Sequence, residues 1–178
     1  MRKVILYISM SIDGFIATKQ DNLDWLSIAE KEGEDYGYTE VYAEADTYLV
    51  GRKTYDVILS LTGGTLPQTE NMNCYVFTRE DRPAEKNLNF YNGPVEQLIK
   101  ELRSQKGKNI VCDGGGEMVR SLMEKDLIDE YIISVIPTIL GDGKRLFLGG
   151  INQLNVKAMP SKYYDTGVVQ LHYKRQTT

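Results

Sequence analysis

Apolar residues along this 178-residue chain gather in short runs, separated by segments whose polar and apolar positions follow a different spacing. Runs rich in β-branched and aromatic residues cover Lys3–Met10, Thr47–Val50, Cys74–Thr78, Leu88–Tyr91, Asn109–Cys112, Glu130–Ile136 and Gly167–Tyr173, and they predict strands. Several are continuous rather than alternating, the pattern of strands covered on both faces. Between them, Thr39–Ala45, Lys53–Leu61, Val95–Gln105 and Glu117–Lys125 repeat their apolar residues at helical spacing. Val95, Leu98, Ile99 and Leu102 form one stripe, which is expected to face a core. The alternation of strand and helix predicts an α/β fold, with a mostly parallel central sheet and helices on both faces. After Ile136 the helical pattern stops, and a long irregular stretch precedes the last strand, so an antiparallel C-terminal edge is expected. The most loop-like segment is Leu61–Asn73, which carries Gly63, Gly64 and Pro67 and reads as a mobile surface loop. No repeat, linker or shift in composition divides the chain, so a single domain over residues 1–178 is expected.

Charge and cysteine usage narrow the function classes. The formal net charge of -4 provides no basic field for nucleic acid or an anionic membrane, so any anionic ligand must be met by local cations. Cys74 and Cys112 sit inside apolar runs, as buried reduced thiols of a cytoplasmic protein do. With His172 as the one histidine, they offer no metal-ligand cluster. The N-terminal apolar run is too short to span a membrane and lacks a small-residue cleavage site.

Chemistry concentrates where strands end. Cys112-Asp113-Gly114-Gly115-Gly116-Glu117 joins a strand to a helix through three glycines, so backbone N–H groups can approach a ligand and the helix aims its positive end at the same spot. A phosphate or a dinucleotide suits that geometry. A tight turn needing positive φ is the other reading. Gly51-Arg52-Lys53-Thr54 repeats the design with two cations and a hydroxyl in a first helical turn, where a bound anion would offset the dipole. The alternative is a solvated basic turn with Arg52 paired to a local carboxylate. Thr78-Arg79 follows the third strand, and arginine suits a bidentate contact to a phosphate monoester. Asp13-Gly14 reads as a plain turn, and Gly141-Asp142-Gly143 as a structural loop or subunit contact.

Taken in order and spacing, several segments resemble the dihydrofolate-reductase-like superfamily. They are Ser11-Ile12-Asp13-Gly14-Phe15-Ile16-Ala17, Asp24-Trp25-Leu26, Gly51-Arg52-Lys53-Thr54-Tyr55, Asp113-Gly114-Gly115-Gly116 and Pro137 to Phe147 with Leu140, Gly141, Gly143 and Leu146. The resemblance is closest to stand-alone relatives of the C-terminal reductase domain of the bifunctional riboflavin-biosynthesis deaminase-reductase, and it spans nearly the whole chain. It implies NADPH-dependent reduction of a small heterocyclic substrate, as by a 5-amino-6-(5-phosphoribosylamino)uracil reductase. By this resemblance Gly51, Arg52, Lys53 and Thr54 cradle the cofactor phosphates, and Thr78 and Arg79 hold the adenosine 2′-phosphate. Gly114, Gly115, Gly116 and Glu117 lie against nicotinamide and pyrophosphate, and Ile16 and Ala17 face the nicotinamide ring. Asp113 matches an acidic residue that touches substrate in the riboflavin reductases. Dihydrofolate reductases themselves carry a buried carboxylate a few residues after a tryptophan; Glu30 stands at that distance from Trp25, though Leu23-Asp24 replaces their Met-Pro, and Glu30 reads equally as a solvent-facing residue. No segment corresponds to the zinc-bearing deaminase domain. Reductase domains of this type pair through sheet edges, which implies a homodimer. The rival readings are a dihydrofolate reductase, a nucleotide-binding protein without turnover, and a domain in which Arg52 and Arg79 are merely solvated.

Overall fold

The computed structural model describes residues 1–176. Eleven strands are present among them: β1 (Val4–Ser11), β2 (Phe15–Ala17), β3 (Ala45–Gly51), β4 (Asn73–Phe77), β5 (Leu88–Tyr91), β6 (Asn109–Cys112), β7 (Glu130–Ile136), β8 (Lys144–Arg145), β9 (Val156–Ala158), β10 (Lys162–Tyr163) and β11 (Val169–Arg175). Four α-helices accompany them: α1 (Tyr38–Ala43), α2 (Arg52–Leu61), α3 (Val95–Ser104) and α4 (Gly116–Glu124). The main sheet runs β10-β11-β7-β1-β6-β3-β4-β5, with β9 on another stretch of β11. From β7 to β5 every pairing is parallel, and β11 closes the C-terminal edge antiparallel to β7.

Each central strand buries residues on both faces. Along β3, Leu49 joins Leu6, Ile110 and Cys112 beneath α3 and α4, whereas Tyr48 and Val50 join Val76 and Val111 beneath α1 and α2. The α3 stripe of Val95, Leu98, Ile99 and Leu102 is buried as its spacing predicts. At roughly 1.5–3 kcal/mol per fully buried large aliphatic side chain, this stripe anchors the helix. The layered, mostly parallel architecture with an antiparallel edge is therefore the one the sequence pattern implies.

The differences lie at boundaries and in short elements. Ala45 starts β3 rather than ending the first helix, because its side chain packs into the α1–α2 core. The segment 61–73 is anchored rather than loose: Leu66 and Met72 are buried in that core, and Pro67–Glu70 forms a 3-10 helix. The piece after Asp13-Gly14 is strand β2, paired with β8, so the two turn-rich segments of the sequence form one small second sheet. The Asp13 carboxylate locks them together, accepting from Ser11 Oγ at 2.6 Å and from the Leu140 and Gly141 N–H groups at 3.1 and 2.7 Å.

Candidate active site

Parallel pairing brings the carboxyl ends of β1, β6, β3, β4 and β5 side by side, and the residues there line one cavity of about 970 Å³. This is where ligands of open α/β sheets bind. The two glycine turns meet directly: Gly51 N–H donates to Gly114 O at 2.9 Å. Gly114 has φ +97, a left-handed backbone that favours glycine, and a Cβ there would sit 2.9 Å from Ile8 Cδ1. A Cβ on Gly116 would lie 2.5 Å from the Arg145 carbonyl oxygen, so β8 and the start of α4 touch through bare backbone. Thr54 Oγ1 lies against Gly115, and Ile16 Cδ1 approaches the same glycine.

Helices α2 and α4 begin at this edge, and neither has a side-chain hydrogen bond capping its N-terminus. Their first N–H groups therefore remain available to an anion. The cations around them differ in state. Arg52 donates to Asp56 Oδ2 at 2.5 Å and stands 3.8 Å from Glu80 Oε1, so the paired state foreseen for it holds in this structure. Among the described residues, Lys53 and Arg79 have no carboxylate within 4.0 Å, although both line the cavity.

Ile16, Ala17, Gly51, Arg52, Lys53, Thr54, Thr78, Arg79, Asp113, Gly115, Gly116 and Glu117 all line this one cavity, with Gly114 buried directly behind. Glu30 does not. It is exposed at the end of the 3-10 helix Asp24–Ala29, where its own N–H bonds back to Ser27 O, and it does not line the cavity. That corrects the expectation of a cleft carboxylate at position 30 in favour of the solvent-facing reading: Leu23 and Leu26 line the cavity, whereas Glu30 follows the buried Ala29 and is exposed.

The carboxylate in the cleft is Asp113. Tyr48 Oη, on a fully buried side chain, donates to Asp113 Oδ2 at 2.8 Å. Burial pushes the Asp113 carboxyl up to about 6, against the opposing pull of the Tyr48 bond. Sequence reasoning missed Tyr48. Its partner lies 65 residues away, and only the β3–β6 register brings the strands together. Lys144 was also missed; it lines the cavity and is ion-paired with Asp21. Among the described residues no group of three or more His, Cys, Asp or Glu side chains is placed to hold a metal ion, and no helix is long and apolar enough to cross a membrane.

Strand ends of this topology, with two glycine turns and two uncapped helix N-termini over one cavity, define an α/β domain with a ligand cleft at the carboxyl edge of its parallel sheet. The chain belongs to the RibD C-terminal domain family, whose sequence model matches residues 2–170. Among relatives, it is 39% identical to the uncharacterized protein YwjB of Bacillus subtilis (strain 168) over 175 residues, covering 98% of each chain. It is 29% identical to YyaP of the same organism over 185 residues, covering 97% of this chain and 94% of that one. Among solved structures, a Shewanella sp. PV-4 protein named for riboflavin biosynthesis superposes with a TM-score of 0.88 at 27% identity, covering 98% of this chain and 99% of that chain. The deaminase/5-amino-6-(5-phosphoribosylamino)uracil reductase of Thermotoga maritima shares the fold at a TM-score of 0.76 and 16% identity; the match covers 98% of this chain and 57% of that longer one. Membership of the RibD C-terminal domain family places this chain in an oxidoreductase family.

Proposed function

We propose that this protein is an NADPH-dependent reductase of a small heterocyclic substrate. The two uncapped helix N-termini, converging with the unpaired Lys53 and Arg79 on one cavity, carry this reading. The residues fit the cofactor. Gly115 and Gly116 bring bare backbone to the cavity lining, and the cavity is long enough to cross five strand ends. Gly51, Arg52, Lys53 and Thr54 would hold the pyrophosphate with the N-termini of α2 and α4, and Thr78 and Arg79 the adenosine 2′-phosphate. Ile16, Ala17 and the Gly114–Gly116 turn, with the backbone of Glu117, would flank the nicotinamide. NADPH supplies the hydride when bound.

The remaining chemistry falls to the protein. Asp113 stands at the β6 end between the two glycine turns, with Oδ2 engaged by Tyr48 and, among the described residues, no partner for Oδ1. A carboxyl with its pKa raised to about 6 is mostly ionised at pH 7 but holds a proton in roughly one molecule in ten, far more than an ordinary aspartate, which suits relay of a proton to a substrate nitrogen as a C=N bond is reduced. Leu23, Leu26, Val57 and Ile58 give the cavity apolar walls that exclude water from that step. With Glu30 outside the cleft, folate reduction loses the carboxylate that suggested it. Pairing of two copies through sheet edges belongs to the same proposal, and sedimentation of the purified chain tests it.

Equilibrium titration with NADPH and NADH, followed by nicotinamide fluorescence, tests the cofactor assignment. A clear preference for NADPH supports it. Binding of neither nucleotide overturns it.

A further inference from the structure

The cavity is charged unequally along its length. Its lining follows the strand order β1, β6, β3, β4, β5, four strand spacings or roughly 19 Å. The unpaired cations Lys53 and Arg79 stand at the β3–β4 end. At the β1–β6 end, Lys144 is the one cation in the lining among the described residues, and Asp21 neutralises it. Arg145 lies outside the lining with its guanidinium 4.7 Å from the centre of the Phe15 ring, Lys19 is paired with Asp142, and Arg120 with Glu124. The charges left uncompensated at this end are Asp113 and Glu117.

The sequence enforces the asymmetry. No Lys or Arg occurs between Lys3 and Lys19, between Lys19 and Lys31, between Lys53 and Arg79, or from Asn109 to Val119. The first two and the last of these stretches span β1, β2, the Leu23 and Leu26 wall and the β6 end, and the third carries Val57 and Ile58. A phosphate or carboxylate tail brought there meets two carboxylates and no free cation, and once the cofactor pyrophosphate occupies the α4 N-terminus nothing else at this end offsets its desolvation.

Resting on the reductase reading above, we infer that the β1–β6 end selects a nitrogen heterocycle that presents N–H donors to Asp113 and carries no anionic tail. The phosphoribosyl group in the name of the Thermotoga enzyme's substrate is then a feature this cleft rejects, as is the glutamate tail of folates. Asp21 acts as the specificity-determining residue, because it occupies the single cation that could have received such a tail.

The test uses the full chain loaded with NADPH and two matched pairs of compounds. These are a ribosylaminopyrimidine with and without its 5′-phosphate, and a dihydropterin with and without its p-aminobenzoylglutamate tail. Binding is read by calorimetry and turnover by loss of nicotinamide absorbance. The tail-free member of at least one pair is expected to bind about tenfold tighter or better, and Asp21→Asn is expected to narrow that gap several-fold by releasing Lys144. Equal or tighter binding of the tailed member in every pair that binds the wild-type chain overturns the inference. Binding of none of the four compounds by NADPH-loaded protein overturns the heterocycle assignment while leaving the cofactor reading intact. An unchanged gap in the Asp21→Asn variant overturns the role of Asp21. Failure of NADPH itself to bind, seen in the loading step, overturns the underlying reductase reading instead.

Discussion

Tyr48 Oη donates a hydrogen bond to Asp113 Oδ2 at 2.8 Å, linking a fully buried core side chain to the carboxyl at the centre of the cleft. Burial and the nearby Asp113 charge push the Tyr48 hydroxyl well above its ordinary range, so it stays a donor throughout the working pH. The bond fixes one carboxyl oxygen and orients the other. It also makes Asp113 a position where folding and chemistry pull in different directions.

The pH dependence of stability exposes that conflict. The folded Asp113 carboxyl keeps its proton to about pH 6, whereas an unfolded aspartate releases it near 3.8. Between those values the folded state binds more protons, so stability falls as pH rises through that window and stays lower above it. Asp113→Asn keeps an acceptor for Tyr48 and removes the ionisation. Compared with the wild type, it should gain about 1–3 kcal/mol between about pH 4 and about pH 8, read from urea midpoints at the two values. Reduction of an accepted substrate should fall about 100-fold in the same variant. An equal response of both proteins to pH would show that the folded carboxyl titrates normally.

The cations of the cleft should not be equivalent. Arg79 has no carboxylate partner among the described residues, so Arg79→Ala removes a guanidinium that is free to meet a phosphate. The preference for NADPH over NADH should fall by about 1–3 kcal/mol, a factor of roughly 5 to 150. Arg52 already donates to Asp56 at 2.5 Å, and a ligand must compete for it. Arg52→Ala should therefore weaken both nucleotides by a smaller and similar factor. Titrations of the two variants with both nucleotides separate these outcomes, and identical losses would refute the distinction.

Much of this arrangement was legible in the sequence, and the reasons differ by element. Continuous apolar runs marked the strands buried on both faces, and the Val95 to Leu102 stripe marked α3, because burial imposes those periods locally. The strand-end motifs at Gly51, Thr78 and Asp113 were visible because glycine and cations at such junctions are chemically unusual. Their convergence depends on strand order, which the sequence implied only through the alternation of elements. The partnership of Tyr48 with Asp113 was hidden, since Tyr48 reads as an ordinary member of an apolar strand and its partner lies 65 residues away. At Glu30 the spacing from Trp25 matched, but the residue lies just past the 3-10 helix Asp24–Ala29 and is exposed, the solvent-facing alternative that the sequence left open. The pairing of β2 with β8 was also hidden, because three-residue and two-residue strands leave too few positions to show a period.

Gly116 offers a sharper structural test than its neighbours. A methyl group there would meet the Arg145 carbonyl oxygen at 2.5 Å, a backbone atom that cannot rotate away. Gly116→Ala should push β8 from α4 and cost about 1–3 kcal/mol, the usual range for overpacking. Because β8 carries Lys144 and pairs with β2, nucleotide binding should weaken beyond the loss in global stability. Thermal denaturation with and without NADPH measures both effects. A variant as stable as the wild type would mean that β8 yields without resistance.

Asp13 should control the same small sheet by a different route. Its carboxylate accepts from the Ser11 hydroxyl and from the Leu140 and Gly141 N–H groups, and these bonds hold it below the usual carboxylate range. A group with a lowered folded pKa contributes its stabilisation above the ordinary carboxylate pKa and loses it as pH falls. Asp13→Ala leaves Leu140 and Gly141 N–H groups without that acceptor and should release the 137–147 segment from the turn that leads into β2. The main sheet does not depend on this contact, so the global unfolding midpoint should move little. Amide exchange at Leu140 and Gly141 should accelerate strongly in the variant, and in the wild type only under acid conditions that protonate Asp13. Affinity for NADPH should fall with it, because Ile16 and Ala17 on β2 form one wall of the cleft. Unchanged exchange at both amides would show that the β2–β8 pairing alone holds the segment, and that the carboxylate is a bystander to cleft geometry.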